Sequence, residues 1–111
     1  MQSRFHPLRT LAVAACLAIA ASGVQAAEHT VSQKGKAFAV AKLKIKLGDS
    51  VKFVNDDPFS HNVFSLSNTK SFDLGTYGQG GTKTVAFDKA GLVEIECAIH
   101  PDMRLALEVA P

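Results

Sequence analysis

Hydrophobic and polar residues alternate with a period of two over most of the chain from residue 27 onward. Residues 42–47 show this most clearly, because lysines and aliphatic residues take alternate positions and would face opposite sides of a strand. Apolar residues at helical spacing form only short runs, too short to predict a helix. The pattern predicts strands at residues 30–32, 37–40, 42–47, 51–54, 61–65, 83–87, 92–96 and 105–109.

Turn signals separate these strands, with Gly48-Asp49 after the lysine strand and a break at residues 55–58. Seven or eight short strands at close spacing predict an all-β fold, an antiparallel Greek-key β-sandwich or barrel in a single domain. Residues 67–81 are the least regular part, with room for a short helical turn. The glycines there predict loop geometry, because no phosphate-binding motif surrounds them.

The first 26 residues have the features of a secretory signal peptide. Arg4 and Arg9 precede an apolar run at residues 11–21, and Val24-Gln25-Ala26 fits the small-x-small cleavage rule. We therefore expect cleavage after Ala26 and an exported, periplasmic domain of residues 27–111. Residues 13–16 also resemble a lipobox that ends at Cys16, but the apolar stretch before this cysteine is short for such a signal.

The charge of the exported domain excludes one class of function. The whole chain has 111 residues and a formal net charge of +2, and loss of Arg4 and Arg9 leaves 10 of its 12 Lys and Arg against 10 Asp and Glu. A neutral domain argues against nucleic-acid binding through phosphate contacts, and a short apolar run with a cleavage site argues against a membrane span. We expect a monomer whose lysines form a solvated face, or alternatively a docking patch for an acidic protein.

The exported domain retains a single cysteine, Cys97, so it forms no internal disulfide. A small exported domain usually gains stability from disulfides or from a metal, which makes metal ligands the first chemistry to consider. Cys97, His100 and Met103 follow one another as C-x-x-H-x-x-M, and His61 lies 36 residues before the cysteine. Each residue alone would be an ordinary core or loop residue. Together they are the donors of a His₂Cys copper site with a weak axial Met, whereas His29 is expected to be a surface residue.

These residues resemble those of the small type I copper proteins, the cupredoxin group that includes plastocyanin, pseudoazurin and amicyanin. The compact loop with His100-Pro101 is closest to amicyanin, His61-Asn62-Val63 resembles the first ligand segment, and residues 48–55 resemble the strand that leads to it. The resemblance covers nearly the whole exported domain. It implies one copper ion with His61, Cys97 and His100 as equatorial ligands and Met103 as the axial ligand.

The resemblance also implies roles for residues around the copper. Asn62 would join the two ligand loops by hydrogen bonds. Relatives usually have a polar residue after the cysteine, whereas this chain has Ala98, so a bond from Asn62 across the loops has to reach backbone. An apolar patch of Phe59, Ile99 and Pro101 around the exposed histidine would dock redox partners.

The function implied is a periplasmic one-electron carrier and not an enzyme, because protein ligands would fill every coordination position. By resemblance, the donor would be a quinoprotein dehydrogenase and the acceptor a c-type cytochrome. Two alternatives come from other classes. One is a periplasmic copper chaperone or copper-resistance protein, and the other is a β-sandwich interaction module without metal.

Overall fold

The structure, a computed structural model, describes residues 25–111, which fold into β-strands joined by turns. Within this range no helix is long or apolar enough to cross a membrane. The expected leader, with Cys16, lies almost wholly outside the described residues. Residues 25–111 contain eight strands: β1 (Glu28–Gln33), β2 (Lys42–Lys46), β3 (Ser50–Asn55), β4 (His61–Ser67), β5 (Lys70–Tyr77), β6 (Thr82–Ala86), β7 (Gly91–Glu96) and β8 (Arg104–Ala110).

The strands form two sheets, which confirms the all-β sandwich. One sheet has the order β1-β3-β6, and the other has the order β2-β8-β7-β4-β5. The expectation that all pairings are antiparallel is wrong at two places, since β1 pairs in parallel with β3 and β2 pairs in parallel with β8. Between β1 and β3 the chain leaves the three-stranded sheet, forms β2 in the other sheet and returns. This crossover connection lets β3 run in the same direction as β1.

Two local predictions are corrected by the structure. Residues 37–40 do not form a strand, because the chain turns at Gly35 and Lys36 with positive φ and only Phe38 makes a bridge, to Gln33. Residues 67–81 are more regular than expected, because β5 occupies most of them. Phe72 and Leu74 alternate with exposed neighbours and pack against the core, but intervening Ser, Asp and Gly weaken the hydrophobic pattern.

Alternate residues of each strand fill the core between the sheets. In β2 the lysines are exposed while Ile45 is buried, as the alternating pattern predicts. Phe53 and Phe87 are the largest fully buried side chains. Cys97 and Met103 belong to the same buried cluster. Two of the predicted metal ligands therefore belong to the hydrophobic core.

Asp49 anchors the beginning of β1 to the turn between β2 and β3. Its carboxylate accepts hydrogen bonds from the backbone N–H of Ala27 at 2.8 Å, from that of Lys46 at 3.0 Å, and from Nε2 of His29 at 2.9 Å. The expected surface residue His29 is thus half-buried and bonded. The bond from His29, followed by those from the two backbone groups, lowers the pKa of Asp49 to about 2.

Because the folded-state pKa lies below the ordinary value of 3.8, ionised Asp49 stabilises the fold above that value, and this contribution is lost as the pH falls towards about 2. We expect Asp49→Asn to lower the urea midpoint of unfolding at neutral pH. We also expect the midpoint of this variant to fall less than that of the unsubstituted protein when the pH is lowered from 3.8 to about 2. Urea unfolding across this range measures both effects. Asp88→Asn is the control, because that side chain is 83% exposed. If the urea midpoint of Asp49→Asn fell with pH as steeply as that of the unsubstituted protein, the role of Asp49 would be contradicted.

Candidate metal centre

The candidate centre forms where the start of β4 meets the end of β7. His61 is the first residue of β4, and Cys97 directly follows β7. The two strands are antiparallel neighbours, with Phe64 opposite Glu96. Antiparallel pairing places the beginning of one strand beside the end of the other, so His61 and Cys97 meet although 36 residues separate them.

The loop from Cys97 to Met103 supplies the remaining predicted ligands. The N–H of Met103 donates to the carbonyl of His100 at 2.9 Å, which closes a turn. The chain then returns along β7 as β8, with Glu96 opposite Arg104. Met103 therefore comes back to the end of the sheet from which Cys97 departs. Both side chains are only 1% exposed.

The structure brings three of the predicted ligands into one cluster. Nitrogen atoms of His61 and His100 and Sγ of Cys97 all lie within 4.8 Å of one another, and Nδ1 of His100 is 3.9 Å from Sγ. Metal bonds to imidazole and thiolate are about 2.0–2.3 Å long, so this spread is close to what one ion spans. His61 and Cys97 are buried, whereas His100 is partly exposed.

The ring of His61 is oriented by Asp57. Nε2 of His61 lies 2.6 Å from Oδ2 of Asp57, and since an ionised carboxylate only accepts, the proton resides on Nε2. Among the described residues, Nδ1 of His61 has no hydrogen-bond partner although it is buried. A buried, unpartnered nitrogen in a cluster of donors fits a metal ligand.

Asp57 is absent from the predicted site, since the segment at residues 55–58 indicates only a turn. Its carboxylate also accepts the backbone N–H groups of Gly35 at 2.8 Å and Lys36 at 3.1 Å. Burial raises its pKa, but the hydrogen bonds from His61 and these two N–H groups outweigh burial and lower it. The available sequence signal is a carboxylate four residues before a candidate histidine ligand.

Asn62 connects the two ligand segments. Its N–H lies 3.4 Å from Sγ of Cys97, and its Oδ1 accepts the backbone N–H of Ala98 at 3.1 Å. The bond across the loops thus runs to backbone, as an alanine at that position requires. Nδ2 of Asn62 donates to Oδ1 of Asp73 at 2.8 Å and to the carbonyl of Gly75 at 3.3 Å. All polar atoms of the Asn62 side chain are used to hold the site.

The exposed edge of the cluster is aromatic and apolar. The ring of Phe59 lies 5.4 Å from the rings of both His61 and His100, and Nζ of Lys36 stands 5.7 Å from its centre. Ile99 is 47% exposed and Pro101 is also exposed. Burial, followed by repulsion from His61 and Lys36, lowers the pKa of His100. A neutral imidazole at the surface remains able to bind a metal.

The comparison with protein families identifies the class. The family of "Copper binding proteins, plastocyanin/azurin family" matches residues 25–110, so the chain belongs to this family. The cupredoxin assignment from the ligand motifs is confirmed, and copper is the cofactor. The donor set agrees with this metal, because thiolate and thioether suit Cu(I) and imidazole suits Cu(II).

Individual relatives agree with the family. The "Methylamine utilization protein MauL" of Methylorubrum extorquens is 32% identical over 106 residues, which cover 93% of each chain. A reduced Cu(I) variant of amicyanin has a TM-score of 0.69 and 23% identity over 80% of this chain and 88% of its own. The Cu-containing nitrite reductase NirK of Thermus scotoductus has a TM-score of 0.71 and 27% identity over 76% of this chain, which spans only 22% of that protein.

Asp57 provides a test of the hydrogen bonds around His61. Asp57→Asn keeps an acceptor oxygen and removes the charge, whereas Asp57→Leu removes both. We expect Asp57→Leu to weaken copper binding 10–100-fold, the usual cost of losing a group that orients a metal-binding histidine, and Asp57→Asn to weaken it less. Competition titration against a chelator measures the affinities. The control is Asp56→Asn, an exposed neighbour that bonds to Ser32 and not to His61. Equal losses in the control and Asp57→Leu would contradict an orienting role.

Proposed function

We propose that the protein is a periplasmic carrier of single electrons with a type I copper centre. His61, Cys97 and His100 would hold the copper ion, and Met103 would be its weak fourth ligand. The observation that carries this proposal is the convergence of one thiol and two imidazoles within 4.8 Å, including a buried Nδ1 of His61 that lacks a hydrogen-bond partner in the described part of the chain. Bound copper supplies a centre that gains or loses one electron.

The surrounding residues limit movement of the ligands. Asp57 restrains the ring of His61, and Asn62 ties the segment of His61 to the loop of Cys97. The N–H of Asn62 also points a positive dipole at Sγ of Cys97 and so stabilises the thiolate. A ligand set that is already held in place needs little rearrangement when its charge changes, and this favours fast electron exchange.

The partly exposed ring of His100 is the proposed route for the electron to a partner. Phe59, Ile99 and Pro101 surround this route with exposed apolar surface, and Lys36 adds a positive charge at its rim. A small apolar patch of this kind suits an interface that forms weakly and separates quickly. The docking residues are therefore those that lie beside the ligand nearest to solvent.

Electron transfer is proposed without enzymatic catalysis. Four protein ligands leave no coordination position for a substrate, which a catalytic metal site requires. The similarity to NirK covers only 22% of that nitrite reductase. Its activity therefore gives no support for catalysis by this domain.

The location and partners are also part of the proposal. A signal peptide cleaved after Ala26 delivers residues 27–111 to the periplasm, and the new N-terminus directly precedes β1. A quinoprotein dehydrogenase as donor and a c-type cytochrome as acceptor fit a monomeric carrier of this family. The similarity to MauL, a methylamine utilization protein, supports this choice of donor class.

Electron carriage is favoured over copper delivery by the burial of the ligands. A chaperone that hands copper to another protein needs ligands that the recipient can approach. Here His61 is fully buried, and Cys97 and Met103 are each 1% exposed. A recipient protein would meet only His100, so release of copper would require the loop to open.

Cys97→Ser tests the copper assignment and the carrier function together. We expect the unsubstituted, copper-loaded protein to show intense visible absorption and to accept and release one electron reversibly, and the variant to lose both properties. The reason is that a neutral hydroxyl does not replace a polarizable thiolate. Optical and EPR spectra with voltammetry measure the loss. Ala98→Ser is the control, because it adds a hydroxyl beside the intact thiolate. A coloured Cys97→Ser protein would exclude the proposed centre.

Met103 tests the axial position. Met103→Leu preserves side-chain volume and is expected to cost under about 1.5 kcal/mol of metal-free stability. Copper should be retained in Met103→Leu and Met103→Gln, because the axial bond is weak. We expect leucine to raise the reduction potential, since Cu(II) loses a donor, and glutamine to lower it, since an oxygen donor favours Cu(II). Voltammetry with metal analysis checks both. Loss of copper from both variants, or an unchanged potential, would show that Met103 is not the axial ligand.

A further inference from the structure

The N-terminal end of β1 holds a second group of nitrogen donors. The nitrogen of Ala27 lies 2.8 Å from Oδ1 of Asp49, and Nε2 of His29 lies 2.9 Å from Oδ2 of the same carboxylate. The first and third residues of the tripeptide Ala27-Glu28-His29 are thus both hydrogen-bonded to the carboxylate of Asp49. This tripeptide lies at the start of the three-stranded sheet, whereas His61 begins one strand of the five-stranded sheet and Cys97 follows another.

Cleavage after Ala26 would change the chemistry of this tripeptide. The nitrogen of Ala27 would become a primary amine. Four nitrogen donors would then follow one another along the chain: the amine, the peptide nitrogens of Glu28 and His29, and Nδ1 of the His29 ring. One metal ion can bind all four, because neighbouring donors close chelate rings that share an edge. Cu(II) and Ni(II) favour a square-planar set of this kind.

We infer that the exported chain binds Cu(II) or Ni(II) at Ala27-Glu28-His29, at a site separate from the thiolate copper centre. The inference rests on the proposed cleavage after Ala26 and is independent of electron carriage. Each bound ion displaces the protons of the Glu28 and His29 peptide nitrogens to solvent, and the two negative nitrogens balance its charge.

The contacts of His29 favour this arrangement. Its Nε2 is used by Asp49, which leaves Nδ1, the ring nitrogen nearer the backbone, for the metal. The negative charge of Asp49 lies beside both the amine and the ring and stabilises a cation there. A carboxylate that bonds Nε2 also occurs at His61, whose Nδ1 has no hydrogen-bond partner among residues 25–111.

The position in the fold limits the structural cost of binding. β1 is an edge strand of its sheet and pairs with β3 alone. Glu28 and His29 are its first two residues and are paired with Ser50 and Val51. Binding would open this first part of the ladder. The buried residues Val31 and Gln33 lie further along β1 and would keep the strand in place.

The oxidation-state preference of this site differs from that of the copper centre. It contains no thiolate or thioether, the ligands that favour Cu(I). Copper bound there would stay as Cu(II), without the intense thiolate absorption, and would not exchange electrons with a partner. An exported chain saturated with Cu(II) would therefore hold two ions with different EPR spectra.

The test uses the full chain with its own leader, exported by a bacterium, in the Cys97→Ser background that removes the thiolate. Mass spectrometry establishes the N-terminus. The protein is titrated with Ni(II) and with Cu(II), and binding is measured by the protons released. For Cu(II), nitrogen hyperfine splitting in the EPR spectrum is a second measure. The first variant inserts one glycine between Ala26 and Ala27, which moves the histidine to the fourth position but keeps a backbone N–H at Ala27 for Asp49. The second variant is His29→Gln.

We expect one equivalent of either metal to bind to the Cys97→Ser protein with release of protons, and binding to be lost in both variants. Three results would overturn the inference: an N-terminus other than Ala27, no binding to the Cys97→Ser protein, or undiminished binding after the glycine insertion. Undiminished binding after the insertion would mean that side chains bind the metal without the N-terminal amine. The proposed electron carriage is judged separately, by the visible colour and reversible potential of the chain that retains Cys97.

Discussion

The antiparallel pairing of β4 with β7 is the contact on which the centre depends. Only two residue pairs define it, Phe64 with Glu96 and Ser65 with Ile95, and it brings the start of β4 to the end of β7. A shift of one residue would turn the side chains of β4 to the opposite face. His61 would then leave the end of the core where Cys97 lies. The register of two buried strands thus determines whether the donor atoms meet.

The polar contacts around this end of the sandwich restrict the ligands further. Asp57 has three donors for its carboxylate, and Asn62 uses its amide and its backbone N–H towards neighbouring segments. Such groups are costly to bury unless they are paired, so their complete pairing fixes a single arrangement. The ligand geometry therefore comes from the hydrogen-bond network as much as from the hydrophobic packing.

The spacing of chemistry-bearing residues predicts the grouping of His61, Cys97 and His100 that the structure brings together. Cys97, His100 and Met103 lie within one short loop, and a thiol with imidazoles has few alternative uses in a domain without disulfides. Alternation of burial likewise predicts most strands. Asp57 was not predicted as the partner of His61, because a carboxylate four residues before a histidine is a weak signal, and only the folded loop brings it to the ring.

Features that depend on distant parts of the chain were the least predictable. The parallel pairings of β1 with β3 and of β2 with β8 follow from crossings between the sheets, which leave no periodic signal in the sequence. β5 was missed because Ser71, Asp73 and Gly75 at its exposed positions are residue types common in turns, which hides the alternation of Phe72 and Leu74. Both cases reflect tertiary context outweighing local preference.

Placing Cys97 and Met103 in the hydrophobic core joins the metal site to the stability of the fold. The same residues that bury apolar surface at this end of the sandwich also supply soft donor atoms. Metal bound there would add to the free energy of unfolding, because an unfolded chain does not hold the donors together. The core in turn keeps water and partner proteins from all but the His100 edge. A small domain without disulfides can thus use one set of residues for stability and for selective access to its metal.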